Sequence, residues 1–554
     1  MPADAETRDR PAPTATEVPD TSAASRRTAL VAAGAGLVAA ACTAPPKPPA
    51  TTRPPTPPTT VPAGPRTTRA AARHLANRAT YGATAATVAR IEQLGATRWI
   101  DEQLAPSTLP DAEARLAGYV TLRQTNAQND SVRTTDETLL LAELDHATLL
   151  RGVYSERQLF EVMCDFWTNH LNVWRRAKWL SQLKTVDNEQ VVRRHALGRF
   201  SDLLMASAMS PAMLVYLDNF ASQGQPGKQV NENYGRELLE LHTLGIHDGV
   251  PAYAESDVVG VAKVLSGWSI NWDSGAARYS FRFSEWWHCR EPVSVFGGAW
   301  SRPSRADYHD RVANAFGDGQ SLIRYLARHP STARHLATKL ARRFVADEPP
   351  PALVDRLAAT YLAHDTAIAP VLRQLLLSTE FQASAGQKVK RPQDWLYSAL
   401  RATRAQVHPA PKGAAATRLR SAASTLGQPV FERMSPDGWP ERAGYWVAAD
   451  GLLKRWEHAA KLARNTITDP GSAEKVAVDV VALLPPTLPA TVRELLAHLA
   501  AEVCQYDLSS PDADAIATAA RLEPTGPAAS LAGNEELLRN ALGLLLAHPS
   551  FQRR

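Results

Sequence analysis

The stretch E-T-L-L-L-A-E-L-D-H-A-T-L-L, Glu137–Leu150, decides the class of fold. Leu140 and Leu144 stand one helical turn apart, with Leu139 and Leu149 flanking them. Glu137, Glu143 and Asp145 interrupt the run without setting up a period of two. Apolar residues that recur every three or four positions describe an amphipathic helix, because 3.6 residues complete a turn. The same spacing appears upstream in Ala72–Asn77, Ala85–Leu94 and Thr97–Leu104. Downstream it marks 191–217, 232–244, 255–267, 319–345, 351–362, 367–381, 393–405, 450–464, 490–504 and 535–547. One region departs from it. Trp268–Trp272 and Arg278–Phe283 alternate polar and apolar residues around Asp273-Ser274-Gly275, the pattern of a short β-hairpin. The following segment, 284–310, has no clean period and reads as an ordered loop. The expected fold is mainly α: one large multi-helix unit over 69–554 with a short β-hairpin insertion, its strand content confined mainly to 268–284.

Composition sets the bounds. The chain has 554 residues, 44% apolar and 21% charged, enough to build a sizeable core. The net charge of +5 is spread along the sequence, with no run of five or six basic residues. A nucleic-acid platform concentrates its charge on one face or helix, so nucleic acid is not an expected partner. No cysteines form a C-x-x-C pair, which argues against a cysteine-built zinc site. With Cys42 assigned to a sorting signal, Cys164, Cys289 and Cys504 allow at most one internal disulfide.

The N-terminus reads as an address. Arg26-Arg27 precedes an apolar run from Ala29 to Ala41, shorter than the roughly 20 residues that span a bilayer. A twin arginine before a modestly apolar stretch is the pattern of a Tat-type signal, which exports folded proteins. Ala39-Ala40-Ala41-Cys42 resembles a lipobox, with Cys42 as the lipidated residue. Simple cleavage at a small-x-small site is the alternative. Residues 1–42 are thus the signal. Residues 43–68, with ten prolines among Thr, Ala, Lys and Arg, form a linker that favours extended polyproline II.

Two motifs concentrate polar and aromatic residues. R-Q-L-F-E-V-M-C-D-F-W-T-N-H-L-N-V-W spans Arg157–Trp174, and N-E-N-Y-G-R-E-L-L-E-L-H-T-L-G spans Asn231–Gly245. Together with Leu265-Ser266-Gly267-Trp268, Ala337-Thr338-Lys339-Leu340, Ser378-Thr379-Glu380-Phe381, Gly427-Gln428-Pro429 and Gly438-Trp439-Pro440, they resemble the bacterial family catalogued as domain of unknown function 1800. The resemblance covers roughly 70–554. It implies an exported protein, often encoded beside a sulfatase-like second protein, and it supplies no established reaction. Where that family commonly reads Trp-His-x-His, this chain has Trp167-Thr168-Asn169-His170. Where the family often has His-Asp and then Lys four residues on, this chain has His288-Cys289 and Val293, which puts any site built on that Asp or Lys in doubt.

On a helical wheel, Glu161, Asp165, Thr168 and Asn172 gather on one side of the first motif, and His170 falls opposite with Met163 and Phe166. In the second motif Asn233, Arg236, Glu237, Glu240 and Thr243 share a side, and His242 lies opposite between Leu238 and Leu239. Two helices packed through their apolar sides would bring His170 and His242 together, with His288 or Asp257 added from the hairpin region. Imidazoles with a carboxylate suit zinc or another transition metal. Core histidines satisfied by backbone carbonyls are the competing reading, and no H-E-x-x-H spacing presets two ligands. The cofactor is left unknown. Glu237 and Glu240, with Asp165 approaching from the neighbouring helix, are candidates for paired-carboxylate acid–base work. The competing reading is ion pairing, through Glu232–Arg236–Glu240 and Arg157–Glu161 at helical spacing. The candidate catalytic residues are therefore Asp165, His170, Glu237, Glu240 and His242, and the candidate metal ligands His170, His242 and His288. No G-x-S-x-G elbow, P-loop or post-strand G-x-G-x-x-G is present. Cys164 reads as a small buried apolar residue, and the tryptophans near the motifs read equally as core or as a sugar-stacking surface.

Two functions follow as expectations. One is a lipid-anchored envelope hydrolase acting on envelope or extracellular polysaccharide. The other is a non-catalytic binding or scaffold lipoprotein working with a co-exported partner. Location is testable at once. Arg26→Lys with Arg27→Lys should strand the protein in the cytoplasm, and Cys42→Ala should release it from the membrane fraction. Both are read by fractionation and immunoblotting, and membrane association that survives Cys42→Ala would remove the lipid anchor from the scheme.

Overall fold

Glu137–Leu150 forms the second part of the Asn126–Tyr154 helix. The helix breaks at Asp136 (φ −155°, ψ 74°), whose carboxylate accepts the Leu139 N–H at 3.2 Å and the Thr138 hydroxyl at 2.6 Å. An aspartate in extended backbone that binds the N–H three residues on is an N-cap, so the leucine-rich part begins as a new helix. In the computed structural model the described residues are 67–554 except Lys178. They contain 22 α-helices and four two-stranded antiparallel sheets. The fold is mainly α. Arg26, Arg27, Cys42 and most of the proline-rich segment lie outside the described residues.

Several predicted helices are split where proline begins a new one. The 191–217 period resolves into Phe200–Ala208 and Pro211–Tyr216, and 319–345 into Tyr308–Ala327 and Pro330–Phe344. Proline fits the first helical turn because its missing N–H would have no partner there. The period of 3.6 carries across such a break, so spacing alone did not reveal it. The second motif starts as an α-helix, Asn233–Glu237, and widens into a π-helix over Leu238–His242.

The hairpin falls where alternation placed it: Trp268–Ile270 pairs with Phe281–Phe283, Trp268 opposite Phe283. The loop expected at 284–310 is instead partly strand, since Val293–Val295 pairs with Trp300–Arg302. Ile246–His247 with Val250–Pro251, and Gln406–Val407 with Val476–Ala477, add two more short pairs. Strand content is thus not confined to 268–284. Two- and three-residue strands offer too few alternations to register as a period. All described residues belong to one compact unit, Pro62–Arg554, in which Trp99, Trp167, Trp268 and Trp395 are fully buried. Cys164, Cys289 and Cys504 are buried and free, so no disulfide forms among the described residues.

A buried ion network crosses this core. Asp394, in the first turn of the Pro392–Ala402 helix, accepts Arg343 Nη1 and Nη2 at 3.0 and 3.1 Å and Arg391 Nε at 3.1 Å. Arg554 Nη1 lies 3.3 Å away. Arg391 also binds Asp165 and, at 3.1 Å, Glu441. Burial alone would raise the Asp394 pKa, but the guanidiniums of Arg343, Arg391 and Arg554 hold it well below the usual carboxylate range. Breaking one partner of such a buried set leaves its neighbours as uncompensated charges. Asp394→Asn should therefore lower unfolding free energy by about 3–5 kcal/mol. Arg356→Gln, which removes an ion pair to Glu380 from a half-exposed arginine, should cost less than about 1 kcal/mol. Denaturant midpoints of the two variants check the contrast.

Candidate functional site

The first motif forms the Gln158–His170 helix, and its wheel is realised. Glu161, Asp165, Thr168 and Asn172 all line one narrow cleft of about 40 Å³, together with Asn169 and Trp439. Most of these groups already have partners within the chain. Glu161 takes Arg193 through both oxygens at 2.7 and 2.9 Å. Asp165 is engaged by Arg391. Asn169 brackets the Trp439 peptide, donating to its carbonyl at 2.7 Å and accepting its N–H at 2.5 Å. Asn172, just beyond the helix, donates to the carbonyls of Arg433 and Ser435 at 2.9 and 2.8 Å. Gly438 (φ +74°) presses so closely on Asn169 that no Cβ would fit. The motif's polar side thus holds the Gly438-Trp439-Pro440 loop.

On the opposite side His170 stacks on Phe166 and meets His242, ring centroids 6.3 and 6.2 Å apart. The two motifs do bring these histidines together. Their role follows from the π-helix, whose last carbonyls have no partner within the helix. His170 Nε2 donates to the His242 carbonyl at 3.2 Å, and His335 Nε2 to the Leu241 carbonyl at 3.0 Å. Thr243 Oγ1 donates to the Leu238 carbonyl at 2.6 Å, and the Gly245 N–H to Leu239 at 3.0 Å. Lys339 Nζ donates to His170 Nδ1 at 2.8 Å, which leaves Nε2 as the N–H donor of the neutral ring. His170 and His242 are each 1% exposed. Burial, and then the charge of Lys339, push the pKa of His170 well below 6.5 and that of His242 down to about 3. Burial brings Lys339 itself down to about 8.

The π-helix also shifts the second wheel: Thr243, placed with the polar residues by an ideal helix, is fully buried. Glu237 and Glu240 remain half-buried. The Glu237 pKa is raised, mainly by burial and then by Glu240, with Asp437 adding to it. Glu240 accepts the Tyr253 hydroxyl at 2.7 Å. Asp165 belongs to the Arg391 network and not to this pair. The expected ladders are only partly formed. Arg236 pairs with Glu232 at 3.6 Å and with Glu255, not with Glu240. Arg157 pairs with Asp111 at 3.2 Å, leaving Glu161 to Arg193.

His288 does not join His170 and His242. It is fully buried beside Phe283, its Nδ1 2.9 Å from the Ser266 carbonyl. Asp257 caps its own helix, accepting the Ala254 and Phe296 N–H groups at 2.8 and 2.6 Å. Among the described residues no three His, Cys, Asp or Glu side chains are grouped to hold a metal ion, so the His170–His242–His288 set is not assembled. Burial raises the Cys164 thiol, as expected of an inert residue. Trp167 is core, its Nε1 donating to the Ala196 carbonyl at 2.8 Å, whereas Trp286 is 57% exposed. Sequence reasoning missed His335, Lys339 and Asp437. His335 and Lys339 lie four apart on one helix, a spacing that could have joined them to the histidine motifs.

Neutral histidines buried around this helix end make stability depend on pH. A His whose pKa is 6.5 unfolded and about 3 folded, as for His242 and His335, contributes fully above pH 6.5. That contribution is lost as the pH falls from 6.5 towards 3, where the unfolded chain binds the proton first. Melting temperature should fall steeply between pH 7 and 4.5. His170→Asn should lower it at pH 7 by about 1–3 kcal/mol of stability and flatten the acid slope. Calorimetric scans across that range check both effects.

Neither a curated protein nor a solved structure is detectably similar to this chain. Residues 74–553 match the family described as "Protein of unknown function (DUF1800)", which takes in both motifs, the capped π-helix and the loop they hold, and the chain belongs to that family.

Proposed function

We propose that this is an exported, lipid-anchored cell-envelope protein that binds and holds and does not cleave, working beside a co-exported, sulfatase-like partner. The observation that carries the reading is the fate of the motif residues. His170 and His335 terminate the π-helix, and Asp165 sits in an ion network. Asn169 and Asn172 fix a loop. These groups are engaged within the chain and are poorly placed to meet a substrate. The signal-like N-terminus and Cys42 supply the proposed anchoring. No described helix is long and apolar enough to cross a membrane.

One observation favours the hydrolytic reading. Glu237, half-buried with its pKa raised and a second carboxylate at Glu240, has the pairing that separates an acid from a base. Incubation with envelope polysaccharide separates the two. The binding reading expects the protein to co-sediment with the polysaccharide while reducing ends stay at background. Release of reducing ends that disappears in Glu237→Gln, with folding intact, would replace it with the hydrolase.

A further inference from the structure

A cleft of about 730 Å³ opens between the N-terminal helices and the ends of two longer ones, and no motif residue of the candidate site except Gln158 reaches it. Its walls are the turn after the Arg69–Ala79 helix, the Ala85–Leu94 helix, and the ends of the Asn126–Tyr154 and Pro392–Ala402 helices. Four arginines line it: Arg90, Arg115, Arg401 and Arg404. Arg90 is paired with Glu102 at 2.8 Å. The other three have no carboxylate partner among the described residues. Arg115 lies over the Tyr154 ring at 3.8 Å, and Arg404 reaches only the Ala482 carbonyl at 3.5 Å.

Arg401 is the most telling. Its Nε and Nη1 donate to the carbonyls of Gly82 and Val153 at 3.3 and 2.8 Å, and its Nη2 donates to no group of the described chain. Carbonyls supply dipoles but no charge, and burial brings this guanidinium down to about 10. A partly buried cation without a counter-ion carries a desolvation cost that an oxyanion in the cleft would offset. The single carboxylate in the lining, Glu156, is exposed and forms no ion pair among the described residues. Trp99, 2% exposed, also lines the cleft.

We propose that this cleft binds a solute carrying more than one oxyanion group, with Arg401 at the centre and Arg115 and Arg404 at the mouth. The planar guanidinium matches carboxylate, phosphate and sulfate through two parallel hydrogen bonds. The volume falls in the range of sites for small organic ligands and far exceeds one inorganic ion. The groups are therefore carried on a frame of about disaccharide size. The inference rests on the binding reading and names its ligand chemistry.

Titration calorimetry on the full chain tests it with three probes: a disaccharide of two glucuronic acids, the neutral disaccharide cellobiose, and inorganic phosphate. The acidic disaccharide should bind, weaken as salt rises, and outbind cellobiose by at least tenfold. Arg115→Ala with Arg404→Ala, both at exposed positions, should weaken it by at least tenfold with an unchanged melting temperature. Arg401→Gln should abolish it where that variant folds. Phosphate binding that the same variants remove would support the oxyanion chemistry and identify a phosphate-bearing source. Equal binding of both disaccharides, or acidic-disaccharide binding untouched by the double variant, would overturn the inference. Absence of any binding while the protein still co-sediments with envelope polysaccharide would overturn the cleft assignment and leave the binding reading standing.

Discussion

The structure depends on keeping charge balanced where water is excluded. Arg343, Lys388, Arg391 and Arg554 meet Asp165, Asp347, Asp394 and Glu441 in one network. Each carboxylate comes from a different part of the sequence: the first-motif helix, the turn after the Pro330–Phe344 helix, the Pro392–Ala402 helix, and the loop after Gly438. Arg78, from the first helix, binds only carbonyls, those of Arg554, Phe344, Val345 and Ser384 at 2.5–2.9 Å. Distant segments are thus fixed to one another by groups that tolerate little displacement. Glu441 shows the strength of the field: burial would raise it, but Arg391, Arg343 and Lys388 bring it down to about 2. A buried network adds little stability over an apolar core, yet removing any one member is expensive, which favours one arrangement over near alternatives.

A second constraint acts on the two motifs. The π-helix at Leu238–His242 leaves carbonyls that a regular α-helix would have capped differently, and side chains from two other helices complete them. Gly245 (φ +76°) then turns the chain tightly against His335, where no Cβ would fit. Long polar motifs are readily taken for catalytic sites, because polar residues in a helical protein otherwise lie on the surface. Here the polarity serves a helix terminus and a loop, both of which need buried donors.

What was legible followed from periodicity. The helical class, the hairpin at Trp268–Phe283, the clustering of Glu161, Asp165, Thr168 and Asn172, and the meeting of His170 with His242 all come from regular geometry. What was illegible followed from departures from it. The π-widening moved Thr243 into the core, and prolines at helix starts hid the breaks at Pro211 and Pro330. Strands of two or three residues left no signal. Partner choice was equally hidden. The spacing Arg157–Glu161 allows a local pair, but Asp111 and Arg193, brought in by the fold, won both partners. A local pair on a solvated face gains only about 0.2–0.5 kcal/mol, too little to compete with a buried bidentate contact.

The same electrostatic rule separates two of the concave regions among the described residues. In the narrow cleft beside the first motif, Asp165 and Glu161 are matched by Arg391 and Arg193, and about 40 Å³ remains. Balance there is complete within the chain, which is the condition of a structural joint. In the wide cleft, Arg115, Arg401 and Arg404 stand around about 730 Å³ with no carboxylate paired to them among the described residues. This set stands open to solvent, at a place large enough to admit a molecule. Unmatched charge beside accessible volume is the physical description of a site completed from outside the chain.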